Sequence, residues 1–127
     1  MAKRKIKPID GLAAIDAIRA DPGLRSGDSA MTAPVLATAV RFLLEDLAER
    51  IPGNSVEVRV PLFGAVQCVP GPDHRRGTPP NVVEMSAQTW LALALGETQV
   101  EAEAAAGKLL ASGVRALEFA SVLPLVR

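Results

Sequence analysis

Hydrophobic residues recur along this chain with a period that changes from that of a helix to that of a strand and back. In residues 33–51, Leu36, Val40 and Leu43 are spaced by four and then three positions, which places them on one face of a helix. In residues 55–60 the period becomes two, with valine at every second position, as in a strand with one buried face. The pattern therefore predicts a chain that combines helices and strands.

Proline, glycine and serine mark the ends of the other elements. Pro8 suits the first turn of a helix, and the pair Pro22 and Gly23 ends it. Ser86 is typical of an N-cap, and Gly96 is typical of a helix end. Together these signals predict helices over 8–20, 33–51, 87–95, 97–106 and 114–123, and strands over 55–60, 65–69, 81–85 and 108–112.

The order of these elements predicts an α+β fold. Because strands and helices are partly segregated, we expect a mostly antiparallel sheet of four to five strands, covered on one face by helices. The short connection 61–64 predicts that the first two strands form an antiparallel pair. A chain of 127 residues fits one domain over 8–127, preceded by a flexible basic segment over 1–7.

Composition narrows the classes of function. The 14 basic and 14 acidic residues balance, which argues against a nucleic-acid partner, since such binding depends on surplus positive charge. No apolar run approaches the roughly 18 residues that a membrane span requires, so no stable membrane insertion is expected. A single cysteine cannot form an internal disulfide. A cytoplasmic protein is the simplest expectation.

Candidate chemistry is concentrated in the segment between the second and third predicted strands. This segment carries His74, Arg75, Arg76 and Gly77 among several prolines. Guanidinium groups bind carboxylates and phosphates through two parallel hydrogen bonds, and backbone amides near a glycine add further donors. The segment is therefore either a set of anion contacts at the rim of a site or a solvated positive loop.

Catalysis is the weaker interpretation of the same region. Cys68 and His74 are six residues apart across a turn, so a nucleophile and base pair is conceivable. A lone cysteine is more often a small buried hydrophobe. One cysteine and one histidine do not complete a typical zinc site, and no nucleotide fingerprint is present. We therefore expect no enzyme, no metal and no cofactor.

Three segments resemble the sterol carrier protein 2 family, and most closely a short actinobacterial branch of it. The first is SVEVRVPLFGAVQCVPGP, followed by HRRGTPPNVVE. The second is NVVEMSAQTWLALALGE, similar to the family's strand and following helix, and the third is AAAGKLLASGVRA, similar to its last strand. The resemblance implies a five-stranded sheet covered by helices, with an apolar tunnel for lipids such as fatty acyl chains or sterols.

The resemblance, together with a core built from Ala, Leu and Val, implies a small non-enzymatic lipid-binding or lipid-transport protein. An apolar cavity is expected between the sheet and the helices over 33–51, 87–95 and 114–123. Its expected ligand is a lipid or another apolar small molecule, with the cationic segment at its mouth. The candidate lining residues are Leu43, Leu47, Trp90, Leu91, Leu95, Leu109 and Leu117.

A different class of function fits the same residues. A core side chain and a cavity-lining side chain look alike in sequence. Trp90, at helical spacing with Leu91 and Ala94, is more typical of a core residue, although the same face of the helix could line a cavity. With a filled core, the fold would be a protein-interaction or oligomerisation module, and a homodimer is left open. The resemblance also implies an accessory role beside a thiol-dependent enzyme, since the family lends its fold to the accessory half of mycothiol-dependent isomerases.

Overall fold

A computed structural model describes residues 5–26, 33–72 and 79–126. The predicted α+β class is confirmed. The helices are α1 (Pro8–Ala20), α2 (Ala33–Arg50), α3 (Ala87–Ala94) and α4 (Val100–Ala105), with 3₁₀ helices at Pro22–Ser26 and Ala116–Val122. The strands are β1 (Val56–Val60), β2 (Gly64–Cys68), β3 (Asn81–Glu84) and β4 (Leu110–Ser112).

The sheet of the described residues has the strand order β2-β1-β3-β4 and is mixed. The predicted antiparallel pair of β1 and β2 is confirmed, and β3 and β4 are also antiparallel. The central strands β1 and β3 are parallel, so the sheet, which was expected to be mostly antiparallel, is mixed, with two antiparallel pairings and one parallel pairing among the described strands. Val56, the first residue of β1, aligns with Cys68 on one side and Asn81 on the other. The chain leaves β2 and enters β3 at the same end of the sheet, and this makes β3 parallel to β1.

One face of the sheet is covered by helices. Val56, Val58 and Val60 of β1 are fully buried, while Glu57 and Arg59 between them are half-buried and pair with each other on the opposite face. Helix α2 contacts β2 and α3, and the last 3₁₀ helix contacts β1 and β3. The apolar face of β1 and the apolar faces of the helices therefore form a single core.

Helix α1 packs on α2 through a close approach. Gly11 of α1 touches the ring of Phe42 of α2, so the two helices meet where one residue has no side chain. Helix α2 also holds the chain that precedes α1. The backbone N–H groups of Lys5 and Ile6 donate to the Glu45 carboxylate, each at 3.1 Å to Oε1.

The predicted elements differ from the observed ones mainly near the end of the chain. The helix predicted over 114–123 is a 3₁₀ helix over Ala116–Val122, and the helix predicted over 97–106 shortens to α4. The residue before α4, Gln99, has an extended backbone, and the Thr98 hydroxyl donates to the Glu103 carboxylate in its first turn. The N-cap predicted at Ser86 is confirmed, because its Oγ accepts the N–H of Thr89 at 3.2 Å.

Candidate functional site

A groove of about 690 Å³ opens at the end of the sheet where β1 turns into β2. Its walls come from segments that are distant in sequence. They are the start of α2, the β1–β2 turn, the junction of β3 with α3, and β4. The apolar side chains that line the groove are Leu36, Pro61, Leu62, Phe63, Met85, Ala87 and Leu110.

Strand register explains why these segments meet. Arg59, the residue before the last one in β1, aligns with Glu84 at the end of β3, and Glu84 aligns with Leu110 at the start of β4. The β1–β2 turn therefore lies at the same end of the sheet as the exit of β3 and the entry of β4. Leu36 of α2 closes the groove from the helical side and is buried.

Charged groups of both signs lie around the groove. Arg25 donates two hydrogen bonds to the Glu97 carboxylate, at 2.6 and 2.8 Å, while its Nε is buried without a hydrogen-bond partner. The hydrogen bonds from Arg25 lower the pKa of the Glu97 carboxyl. Lys108 is exposed and Glu84 is half-buried in the groove. The two hydrogen bonds to Glu97 thus hold the Arg25 side chain in place at the groove. The exposed ammonium group of Lys108 is a second cation that lines it.

The predicted lining residues do not line this groove. Six of the seven lie in the hydrophobic core, and Trp90 donates its ring N–H to the carbonyl of Val40 at 3.2 Å. Leu117 is outside that core and is 37% exposed on the last 3₁₀ helix. The structure brings together Leu43, Leu47, Trp90, Leu91, Leu95 and Leu109 as members of one packed cluster.

Cys68 ends β2 as a buried side chain. Burial disfavours the thiolate and raises the pKa of the Cys68 thiol to about 12. The group is therefore a neutral thiol at neutral pH, and a neutral thiol is a poor nucleophile. Its predicted partner, His74, lies outside the described residues.

The described residues that flank the predicted cationic segment lie at the opposite end of the sheet from the groove. The side-chain amide of Asn81 donates to the carbonyl of Ser55 at 2.8 Å, and its oxygen accepts the N–H of Arg115 at 3.0 Å. Arg115 also donates through Nη2 to the carbonyl of Pro70 at 2.8 Å. These bonds hold Pro70, which precedes the segment, and Asn81, which follows it, beside the start of β1. His74, Arg75, Arg76 and Gly77 themselves lie outside the described residues.

Pattern reasoning missed the residues at the exposed edge of the groove. Leu62 is 97% exposed at the tip of the β1–β2 turn, and Leu110 is 68% exposed at the start of β4. A signal for Leu62 was present, because it follows Pro61 in a turn where glycine or asparagine is usual. Leu110 gave no such signal, since a leucine in a short strand is ordinary.

No group of acidic, histidine and cysteine side chains able to hold a metal ion occurs among the described residues. Within the same residues, no helix has the length and apolar character needed to cross a membrane.

The family model described as bacterial SCP ortholog matches residues 33–125, from the start of α2 to the residue after Pro124. No curated protein matches the sequence.

Proposed function

Because the chain belongs to the family of bacterial SCP orthologs, we propose that it is a small binding protein for a lipid or another apolar molecule. The proposed site is the groove. Its volume lies within the range of about 300–1,000 Å³ that is usual for small-molecule pockets. The observation that supports this choice is the set of apolar side chains from α2, the β1–β2 turn, the β3–α3 junction and β4 that meet there. They would cover the hydrocarbon part of a ligand.

The proposal is one of binding without catalysis. Nucleophilic catalysis requires an activated nucleophile. Cys68 is buried at the end of β2, and its pKa is raised to about 12. A thiol in this state supports a structural role.

The groove is a better candidate than the interior of the fold. A ligand between the sheet and the helices would have to separate side chains such as Leu43, Trp90 and Leu91, which are fully buried against one another. Opening a closely packed core costs the contacts that hold it together. At the groove, by contrast, Leu62 and Leu110 are already exposed to solvent. Lys108 would then offer the anion contact that the sequence predicted for Arg75 and Arg76.

Native mass spectrometry of protein purified without detergent tests the proposal directly. We expect a co-purified or added fatty acid to remain bound, with one ligand per chain. Titration should give a dissociation constant well below millimolar. Binding no tighter than roughly millimolar corresponds to only about −4 kcal/mol and would contradict the proposal.

A pair of matched variants locates the ligand. Ala87 lines the groove on the first turn of α3, and Ala102 lies exposed on α4. Ala87→Phe should fill the groove and weaken fatty-acid binding by at least about tenfold, or 1.4 kcal/mol. Ala102→Phe adds the same ring elsewhere and should leave the affinity unchanged. Equal affinities for the two variants would exclude the groove.

The fluorescence of Trp90 distinguishes a ligand bound in the groove from a ligand bound in the core. It is the only tryptophan of the chain and is fully buried in the core. A brominated fatty acid quenches tryptophan emission on contact. We expect binding without strong quenching, because the groove is not lined by Trp90. Strong quenching would place the ligand in the core instead.

The packed core favours a second candidate function, an interaction or oligomerisation module. The side chains predicted to line a cavity form part of one buried cluster, as a filled fold requires. Sedimentation equilibrium of the ligand-free protein checks this candidate. A dimer that persists at micromolar concentration, together with no fatty-acid binding, would favour the module over the carrier.

A further inference from the structure

The 3₁₀ segment Pro22–Ser26, which follows α1 in the chain, lies on the helical side of the groove. Arg25 and Ser26 belong to the groove wall, together with Leu36 of α2 and Ala87 of α3. The segment contacts both α2 and α3. It therefore covers the place where these two helices meet at the groove.

Little burial holds this segment in place. None of its five residues is buried, and Leu24 packs against the core only as a half-buried side chain. Helices α1 and α3 bury four and five residues, respectively. Because elements with few buried apolar contacts open more readily than the rest of a fold, this segment is the one at the groove most suited to move.

The segment has a hydrogen-bonded shape of its own. The N–H groups of Gly23 and Leu24 donate to the carboxylate and the carbonyl of Asp21, at 3.1 and 3.0 Å. The Ser26 hydroxyl donates to the carbonyl of Gly23 at 3.0 Å. Asp21 has left the helical conformation of α1, with a φ of −135° and a ψ of 89°. The segment can therefore swing about Asp21 as a unit while these bonds are kept.

Arg25 links the segment to the turn between α3 and α4. Its guanidinium donates to both oxygens of the Glu97 carboxylate, at 2.6 and 2.8 Å. The Glu97 side chain is 42% exposed, so water and salt ions reach this pair and keep it weak. The Nε of Arg25 is buried without a hydrogen-bond partner, which is unfavourable. The observed position thus combines one attractive contact with a penalty that movement of the segment would remove.

We propose that Pro22–Ser26 is a lid on the groove, held closed by the ion pair between Arg25 and Glu97. Opening of the lid uncovers Leu36, which lines the groove but is only 2% exposed in the closed state. Lids of this kind set the rates at which ligands enter and leave a site. The lid precedes residue 33, so it lies outside the segment that matches the family model.

This inference rests on the proposed function for the nature of the ligand, but its test needs no ligand. The reporter is Leu36→Cys in a Cys68→Ala background, which leaves a single thiol on the groove wall. The rate at which a thiol reagent labels this cysteine measures how often the lid opens. Met85→Cys, at another buried position of the groove, is the second reporter should Leu36→Cys fail to fold.

Glu97→Gln removes the charge that holds Arg25 and keeps the size of the side chain. We expect this change to raise the labelling rate about two- to fivefold, the range expected for an exposed ion pair. Added salt should raise the rate when Glu97 is present but not in Glu97→Gln, because ions screen a pair that the variant lacks.

The matched control is Glu118→Gln. It breaks the ion pair with Arg115, whose N–H donates to Asn81 at the opposite end of the sheet from the groove. This variant should leave the labelling rate unchanged. Equal labelling rates for Glu97→Gln and Glu118→Gln would overturn the lid, and so would a rate that salt does not change when Glu97 is present.

Fatty-acid binding separates the lid from the carrier function. Faster labelling of Glu97→Gln, with no fatty-acid binding by any variant, would support the lid and exclude the carrier function. Where fatty acid binds, its dissociation rate should rise in Glu97→Gln by the same factor as the labelling rate. An unchanged dissociation rate, measured by stopped flow, would overturn control of access by the lid.

Discussion

Two residues other than glycine have a positive φ in the described part of the chain, and their surroundings differ. Val69 has a φ of 69°, and its N–H donates to the carbonyl of Ile51 at 2.8 Å while its own carbonyl accepts the N–H of Ser55 at 3.1 Å. Its side chain is buried, so contacts hold the unfavourable backbone in place. Leu62 has no comparable burial. No burial of its side chain offsets the free-energy cost of the left-handed backbone at Leu62.

That difference predicts a gain in stability at Leu62. Leu62→Asn should raise the free energy of unfolding by up to about 1 kcal/mol, because asparagine relieves part of the cost of the left-handed backbone. Urea denaturation measures the change. Val114→Asn, at an equally exposed site, should give no gain. A Leu62→Asn protein less stable than the wild type would show that the leucine makes contacts that stabilise the turn.

Cys68 predicts a loss of stability at alkaline pH. Its thiol has a folded-state pKa of about 12, raised by burial from an ordinary value of 9.0. Between these values the unfolded chain releases the proton and the folded chain keeps it, so stability falls as pH rises. The contribution of the buried thiol to the free energy of unfolding is intact below pH 9. Above pH 9 it falls by about 1.4 kcal/mol per pH unit.

Comparison with Cys68→Ala isolates this effect from the titration of other groups. The stability difference between the wild type and the variant should narrow as the pH rises from about 9 towards 12, as measured by denaturation at each pH. A native thiol that reacts rapidly with a thiol reagent at pH 7 would contradict the buried, neutral state.

At the scale of elements, the stability of helix α3 depends on Ser86, the residue that precedes it. Ser86 Oγ accepts the N–H of Thr89, which would otherwise lack an intrahelical partner. Ser86→Ala should lower the free energy of unfolding by about 1 kcal/mol. Ser121→Ala, at an exposed position of the last 3₁₀ helix, is the control and should change stability little. Equal losses in thermal denaturation would argue against the cap.

The packing of α1 on α2 depends on the absence of a side chain at Gly11. A methyl group there would overlap the ring of Phe42, so Gly11→Ala should destabilise the protein by about 1–3 kcal/mol although alanine favours a helix. In a Phe42→Leu background the cost should shrink, because the smaller side chain leaves room. A double-mutant cycle measures this coupling. If the effects of the two substitutions on stability are additive, then Gly11 and Phe42 do not limit how closely α1 packs on α2.

The elements were largely predictable where local chemistry determines them. Pro8 and the Pro22-Gly23 pair bounded α1 correctly, and the alternation of valines identified β1. The parallel pairing of β1 with β3 was not predictable, because period indicates a strand but not its partner. The groove was missed for a similar reason. Leu36, Leu62 and Leu110 meet only through the register of the sheet and the packing of α2.

At the scale of the whole molecule, the family assignment covers more of the chain than the motifs suggested. The three motifs begin at β1, whereas the family match begins at residue 33 and includes all of α2. The resemblance to sterol carrier proteins is thereby confirmed at the level of the bacterial family. The groove and the hydrogen bonds of Asn81 lie at opposite ends of the sheet. The five residues of β1 separate them by about 13 Å.

Asn81 joins three parts of the molecule at the end away from the groove. Its amide bridges the carbonyl of Ser55 and the N–H of Arg115. Asn81→Ala leaves both groups without this partner and should cost about 2 kcal/mol of unfolding free energy. Asn54→Ala, at an exposed position nearby in sequence, should cost little. Similar midpoints in urea for the two variants would show that the bridge is not important for stability.

The base formed by Asn81, Arg115 and Pro70 has a consequence for how the protein can change over evolution. Strands β2 and β3 lie one on each side of β1. The end of β2 and the start of β3 are therefore two strand spacings, or roughly 10 Å, apart. Closing a connection between fixed ends costs only about 0.6 kcal/mol more for each doubling of its length. Insertions and replacements between Pro72 and Pro79 should therefore be tolerated while the sheet and groove are kept. A peptide epitope grafted there would be presented without altering the rest of the fold.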